Sequence, residues 1–459
     1  MIRMNAMAPQ RARSERIYDF IGVGVGPFNL GLACLTAPIA ELDGLFLDQN
    51  ERFDWHPGMM LEDATLQTPF MGDLVTLADP TNPYSFLNYV KSQGRIYAFY
   101  IREDFFLMRK EFNEYCRWAA DQLPNVQFGR SVDQIEYDVA GRVYRVATRC
   151  VRTGAVEQKL ARRLVLGVGS VPSLPACCRP HAEHMTHSSQ YLARKDELMK
   201  KRAIAVVGSG QSAAEIFYDL LNGIDAHGYR LDWVTRSPRF FPLELTKLTL
   251  EMTSPDYADY FHRLPAPKRD RLISAQKNLY KGVNSSLIND IYDTLYAKSL
   301  SGPLDVALHT NAELRECARD PASGRFTLSL RQLEQDVDFR IETDAVVLGT
   351  GYAYRIPAFL KPIRDRIRWD ESGRYAVRRN YSVDVEGGGI FVQNAELHTH
   401  GFVAPDLGMA AYRNAWIIRE MLGREVYPIE KRVAFQSFSA PREEAQPKEE
   451  HAAAGERSA

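Results

Sequence analysis

The stretch that most constrains this chain is Tyr18 to Gly31, YDFIGVGVGPFNLG. Tyr18, Phe20, Ile21 and Val23 form an apolar run of strand character, and Gly22, Gly24 and Gly26 follow at alternate positions. Pro27 to Leu30 then open a predicted helix that runs through Leu35. Strand, glycine turn and helix start, in that order, begin a βαβ unit that binds a dinucleotide. Glycine lets the backbone approach a pyrophosphate, and the helix N-terminus offers unpaired N–H groups with a partial positive charge. Asn29 stands where the third glycine of G-x-G-x-x-G would be, counted from Gly24. The second strand should close on an acid roughly 20 residues on, placed for a ribose hydroxyl. Leu45, Phe46 and Leu47 lead to Asp48.

A second fingerprint follows at Ala203 to Leu221, AIAVVGSGQSAAEIFYDLL, with Gly208, Gly210 and Ala213 at G-x-G-x-x-A spacing. Its next predicted strand, Leu231 to Thr235, ends in Arg236 instead of an acid, with Arg239 close behind. A carboxylate there would repel a ribose 2′-phosphate, whereas a guanidinium binds it with two prongs. The second site therefore reads as NADP(H), and the first, with its acid, as FAD or NAD.

At 459 residues the chain is too long for one ordinary core, so two or three domains are expected. A net charge of -1 argues against a nucleic-acid binder, and no apolar run approaches the roughly 20 residues of a membrane span. Cys34, Cys116, Cys150, Cys177, Cys178 and Cys317 lack metal-ligand spacing, so no metal site is expected. They read as reduced thiols in a cytoplasmic protein. The expected fold is α/β, with two Rossmann-like nucleotide domains and a small helical insertion. Residues 1–15 and 439–459 are polar and charged and read as disordered. Between them we expect an FAD domain in two parts, 16–185 and 341–435, the second part opening with DAVVLGTGY, Asp344 to Tyr352. An NADPH domain, 186–340, interrupts it and carries the helical insertion at about 242–300.

Two fingerprints alone would suit a flavin disulfide reductase, but the redox Cys-x-x-Cys pair of such an enzyme is missing. Intervening stretches narrow the choice. In order along the chain they are FDWHPGM (Phe53 to Met59), LQTPF with DLVTL (Leu66 to Leu77), PTNPYSFLNYV, HSSQY (His187 to Tyr191), GSGQSAAE and DAVVLGTGY with Pro357 five residues later. From about Tyr18 to Leu422 the chain resembles the N-hydroxylating flavin monooxygenases of siderophore biosynthesis, which act on ornithine, lysine or diamines.

That resemblance implies FAD reduced by NADPH, a C4a-hydroperoxyflavin formed with O2, and hydroxylation of a neutral primary amine. It implies FAD contacts at Gly24, Gly26, Pro27, Asn29 and Asp48, with Trp55, His56 and Gln67 facing the flavin. Gln67 matches a glutamine that steadies the oxygenated flavin. Gly208, Gly210, Gln211, Ser212 and Arg236 match NADPH contacts, and Ser188, Ser189 and Gln190 match a loop beside the nicotinamide. Asn284, in GVNSSL, matches an asparagine that touches both substrate and cofactor. His400, Asp406 and Leu407 match a closing element beneath the flavin, here with longer spacing. Gln67 and Asn284 are thus the expected catalytic residues.

Departures from the family pattern carry the substrate information. The ornithine enzymes hold the substrate carboxylate with a lysine, and its place here is Gly72. A second anchor, an asparagine before a glutamate, falls at Leu250 before Glu251. With both handles missing, the resemblance points to a diamine, putrescine or cadaverine, whose distal ammonium needs an acid. Glu251 and Glu244 are the expected receivers. L-lysine or L-ornithine hydroxylation through another carboxylate anchor is the alternative. Other classes that share both fingerprints, the Baeyer–Villiger and sulfide-oxidising flavin monooxygenases, would not carry LQTPF–DLVTL and HSSQY. A homo-oligomer is expected, with O2 and a small amine as partners.

Overall fold

The apolar run Phe20–Val23 is the central strand of a five-stranded parallel sheet in the computed structural model, which describes residues 16–441. The expected disordered N-terminus, 1–15, lies outside the described residues, as does the expected tail beyond residue 441. Across the sheet the order is Ile390–Val392, Leu164–Leu166, Phe20–Val23, Gly44–Leu47 and Val126–Gln127. The first four of these strands are buried along their whole length. Burial on both faces is why they read as continuous apolar runs instead of alternating ones. Alternate side chains still go to opposite faces. Phe20 and Phe46 join a core with Leu30, Phe112, Tyr115 and Ile418, under the helices Pro27–Thr36, Arg109–Asp121 and Ala410–Leu422. Ile21 and Leu45 enter a second core with Val146, Ile363 and Val383. The antiparallel strands Arg130–Asp138, Val143–Cys150 and Val156–Ala161 contribute to that side.

A second five-stranded parallel sheet has the order Thr186–His187, Ala345–Leu348, Ala203–Val207, Arg230–Val234 and Val306–His309. The architecture is thus two Rossmann-like units, as the two fingerprints imply. The expected boundary at 340/341 is corrected here. Ala345–Leu348 pairs with Ala203–Val207, so DAVVLGTGY belongs to the second sheet, and the chain rejoins the first sheet only at Ile390–Val392. Both sheets need a short, fully buried apolar strand that runs into a glycine, and this local pattern does not say which sheet takes it.

The insertion between Arg230–Val234 and Val306–His309 is helical, as expected: Lys247–Leu250, Pro255–Arg263, Ala266–Ala275 and Asn278–Lys281. The last helix within the expected span, Ser285–Ser299, is different. Ile291 packs into the core of the second sheet with Phe217 and Leu221, which makes this the crossover helix of the nucleotide unit itself. The two units meet where Val171–Pro172 pairs antiparallel with Tyr352–Ala353. All six cysteines are free, and no helix among the described residues is long and apolar enough to cross a membrane.

Candidate active site

Both glycine turns have the geometry their sequences call for. Gly24 has a φ of +86°, and a Cβ there would collide with the carbonyl of Gly167 at the end of the neighbouring strand. Gly208 has a φ of +136° and meets Gly349 O in the same way. In each unit, therefore, a left-handed glycine lets the turn lie against the next strand. Gly26 and Gly210 are the N-caps of Pro27–Thr36 and Gln211–His227, and neither helix has a side-chain cap. Apart from its own chain neighbours, nothing lies within 4 Å of where a Cβ on Gly26 would stand. Open space ahead of uncapped helix N–H groups suits an anionic ligand.

Asp48 and Asn29 hold the first turn in place. Asp48 Oδ2 accepts the Val25 N–H (2.7 Å) and Oδ1 accepts that of Asn50 (2.8 Å). The carboxylate stays partly exposed, with lone pairs left for a ribose hydroxyl. Asn29 departs from the expectation of a cofactor contact. It is 1% exposed, donates to Gly24 O (2.7 Å) and accepts from Gln393 Nε2 (2.8 Å). Its amide thus replaces a third glycine with an internal brace. His400 is likewise not brought to the cleft. Its ring is fully buried against Tyr381, with Nδ1 at 2.9 Å from Thr399 Oγ1 and Nε2 at 3.2 Å from Arg379 O.

Two expected residues from distant segments, Gln67 and Asn284, converge on a third, Gln211. Gln67, on the strand Thr65–Pro69, donates through Nε2 to Gln211 Oε1 (2.9 Å). The same oxygen accepts the backbone N–H of Asn284 (2.8 Å), and Gln211 Nε2 donates to Glu215 Oε1 (2.8 Å). Glu215 in turn takes a two-pronged ion pair from Arg109 (2.7 and 2.9 Å), whose Nη1 also reaches Met59 O (2.6 Å). The first unit (Met59, Gln67, Arg109), the second (Gln211, Glu215) and the insertion end (Asn284) thus share one network. Asn284 Oδ1 accepts from Ser286 N and Oγ, capping the helix Ser285–Ser299, so its side-chain oxygen is engaged locally. Neither Arg109 nor Glu215 was anticipated; no local pattern links residues 106 apart.

Around this network the FDWHPGM and HSSQY loops touch. Gly58 approaches so closely that a Cβ would collide with Ser189 O. Trp55 and His56 lie edge to face, centroids 4.8 Å apart, and His56 faces Tyr352 at 5.7 Å. His56 holds a left-handed φ of 51°, and desolvation by the groups packed around its ring, followed by the charge of Arg109, lowers its pKa to about 4. His187 Nε2 lies 3.1 Å from Gly351 O and its Nδ1 3.0 Å from Ser189 Oγ; burial lowers its pKa too. Ser188 is fully buried and its hydroxyl has no partner, while Gln190 is exposed. The imidazoles are neutral near pH 7, so the cleft offers aromatic walls and uncharged hydrogen-bonding groups.

On the second unit Ser212 lies in the first turn of Gln211–His227, and Arg236 is exposed just beyond Arg230–Val234. Arg236 acts electrostatically on Lys281, a cation not singled out from the sequence, whose carbonyl lies 3.9 Å from a Cβ built on Gly210. The expected ammonium receivers fare differently. Glu251 is engaged: its carboxylate accepts the N–H of Phe435 (2.8 Å) and of Gln436 (3.0 Å) and the side chain of Gln436 (2.9 Å). It latches the C-terminal segment onto the insertion and, contrary to expectation, is not a free acid awaiting an ammonium. Leu250 and Glu244 are exposed on the insertion. Leu407 packs on the first core. Gly72 is buried; a Cβ there would collide with Thr68 Cγ2 and lie 3.1 Å from Gly408 Cα.

Residues 16–354 match the family model described as L-lysine 6-monooxygenase/L-ornithine 5-monooxygenase. The chain belongs to this family. Among individual relatives of this monooxygenase, a putrescine N-hydroxylase of Shewanella oneidensis is 53% identical, the match covering 94% of this chain and 86% of that one. A cadaverine monooxygenase of the desferrioxamine pathway of Erwinia amylovora, solved bound to FAD, is 60% identical with a TM-score of 0.91, covering 93% of this chain and 99% of that one. More distant is an ornithine N-hydroxylase of Kutzneria, solved with reduced FAD, NADP+ and L-ornithine. It is 26% identical, with a TM-score of 0.82 and coverage of 89% and 99%.

Proposed function

We propose that this monooxygenase uses FAD and NADPH to hydroxylate one primary amine of an aliphatic diamine, putrescine or cadaverine, for a hydroxamate siderophore. The residues present suit both cofactors. Gly24, Gly26, Pro27 and Asp48 would hold FAD on the first unit. Gly208, Gly210, Ser212 and Arg236 would hold NADPH on the second, with Arg236 on the 2′-phosphate. Bound there, FAD reduced by NADPH supplies the activation of O2.

The protein's own part is to position the amine and keep it neutral. A lysine-like amine has a free pKa of about 10.4, and removal from water favours its uncharged, nucleophilic form. Gln67 and Asn284 each retain an unpartnered amide group among the described residues, Oε1 and Nδ2 respectively, for hydrogen bonding in the cleft. No acid–base pair is required of the chain if the substrate amine is itself the nucleophile.

The observation that carries the diamine reading is Gly72. Thr68 and Gly408 close around it, so the position has neither a side chain nor room for a lysine to anchor a carboxylate. The names of the two nearer relatives described above support the same reading. A screen of purified, FAD-loaded enzyme should score hydroxylamine formed from C3 to C5 diamines, L-lysine and L-ornithine. We expect putrescine or cadaverine to exceed both amino acids in kcat/KM. Efficient formation of N-hydroxylysine or N-hydroxyornithine, with diamines ignored, would reject the reading.

A further inference from the structure

A diamine bound with one amine at the reacting centre leaves an ammonium at its other end. Glu251 is latched to Phe435 and Gln436 and Glu244 is exposed on the insertion, which turns attention to the acids around Gly72. Asp73 is saturated, accepting from the N–H groups of Val75, Thr76 and Phe86 and from the Thr76 hydroxyl. Asp256 accepts the N–H groups of Val433 and Ala434, and Asp259 pairs with Arg379.

Asp406 differs. Its Oδ1 accepts the Gly408 N–H (2.8 Å), and the Thr253 hydroxyl is the other donor near the carboxylate, which leaves lone pairs for a cation. The same Gly408 N lies 3.3 Å from where a Cβ of Gly72 would stand. On the insertion side lies Thr253, whose hydroxyl donates to Leu250 O (2.7 Å) and also acts on the Asp406 carboxylate. Asp406 therefore lies beside Gly72 on one side and beside the Leu250–Glu251 turn on the other. Arg413, the neighbouring cation, is held by Glu396 (3.0 Å) and by Ala404 O (2.7 Å). Asp406 keeps some exposed surface, and burial among its neighbours raises its carboxyl above the usual value. An arriving cation would offset that desolvation.

Thr68, whose methyl lies 3.9 Å from a Cβ built on Gly408, directly follows Gln67 in the strand. With bonds near 1.5 Å, an extended C4 diamine spans about 6 Å between its nitrogens and a C5 diamine about 7.5 Å. We infer that Asp406 receives the distal ammonium of the bound diamine and sets the preference for diamines over monoamines. This inference rests on the diamine reading and puts Asp406 in the place where Glu251 and Glu244 were expected.

The test compares putrescine with butylamine and cadaverine with pentylamine, scoring hydroxylamine formed by FAD-loaded enzyme. Wild type should favour each diamine over the monoamine of equal length by at least about tenfold in kcat/KM, as expected for a charge-assisted contact. Asp406→Asn retains an acceptor for the Gly408 N–H but loses the charge, so that ratio should collapse by roughly ten- to a hundredfold, chiefly through KM. Asp406→Glu should keep part of the preference. An Asp406→Asn enzyme with the wild-type ratio overturns the inference. So does a wild-type enzyme that hydroxylates diamines and monoamines equally well, a result that needs no variant to fold. A wild-type enzyme that ignores diamines and uses lysine or ornithine instead overturns the underlying function.

Discussion

Gln67 and Gln211, 144 positions apart, share a 2.9 Å hydrogen bond that joins the two Rossmann-like units at the cleft. Gln67 comes from the strand Thr65–Pro69 and Gln211 opens the helix that follows the second glycine turn. Because Gln67 donates through Nε2, its Oε1 stays available as an acceptor for an O–H or N–H donor in the cleft.

Removing that acceptor should uncouple the reaction. Gln67→Ala is expected to oxidise NADPH in the presence of substrate while returning more of the oxygen consumed as hydrogen peroxide and less as hydroxylamine. Parallel measurement of NADPH, peroxide and hydroxylamine checks this. A merely structural glutamine would lower stability and leave the product ratio unchanged.

Coenzyme choice should rest on Arg236, which is exposed beyond Arg230–Val234 and near Lys281. Arg236→Ala should raise the KM for NADPH roughly ten- to a hundredfold, the equivalent of 1.5–3 kcal/mol for a charge-assisted contact, with little change for NADH. Equal losses with both coenzymes would place Arg236 outside the site.

The Arg109–Glu215 pair should matter for stability as well as geometry. The side chains are 11% and 6% exposed, so removing one partner leaves a poorly solvated charge. Arg109→Ala should lower unfolding free energy by about 3 kcal/mol. Urea unfolding checks this, and a change under about 0.5 kcal/mol would class the pair with surface ion pairs.

His400 gives a pH signature. Burial and nearby Arg379 hold its folded-state pKa well below the ordinary 6.5. Below pH 6.5 the unfolded chain then binds a proton that the folded one refuses. The stability contribution is complete above pH 6.5 and is lost as pH falls beneath it. Melting temperatures of wild type and His400→Gln, followed from pH 7.5 to 5, should show a shallower decline for the variant. Parallel curves would mean that His400 titrates alike in both states. Asp73, Glu396 and Asp406, whose carboxyls are raised by burial, act in the opposite sense but are common to both proteins.

The sequence by itself determined what depends on neighbours along the chain. A buried parallel strand needs a continuous apolar run, a turn against another backbone needs glycine, and a helix open to an anion needs an uncapped start. Hence both fingerprints, Asp48 at its strand end and the helical insertion were legible. Only the tertiary structure decided what depends on contacts across the chain. DAVVLGTGY carries nothing that selects between two similar sheets, so its place beside Ala203–Val207 emerged only from pairing. Asn29 and His400 carry family motifs, yet packing turned both inward, where their polar atoms brace backbone and neighbouring side chains. Glu251 and Asp406 look equally free as residue types. Folding binds Glu251 to Phe435 and Gln436 and sets Asp406 beside Gly72, because a carboxylate's role follows from which donors the fold leaves within about 3 Å of it.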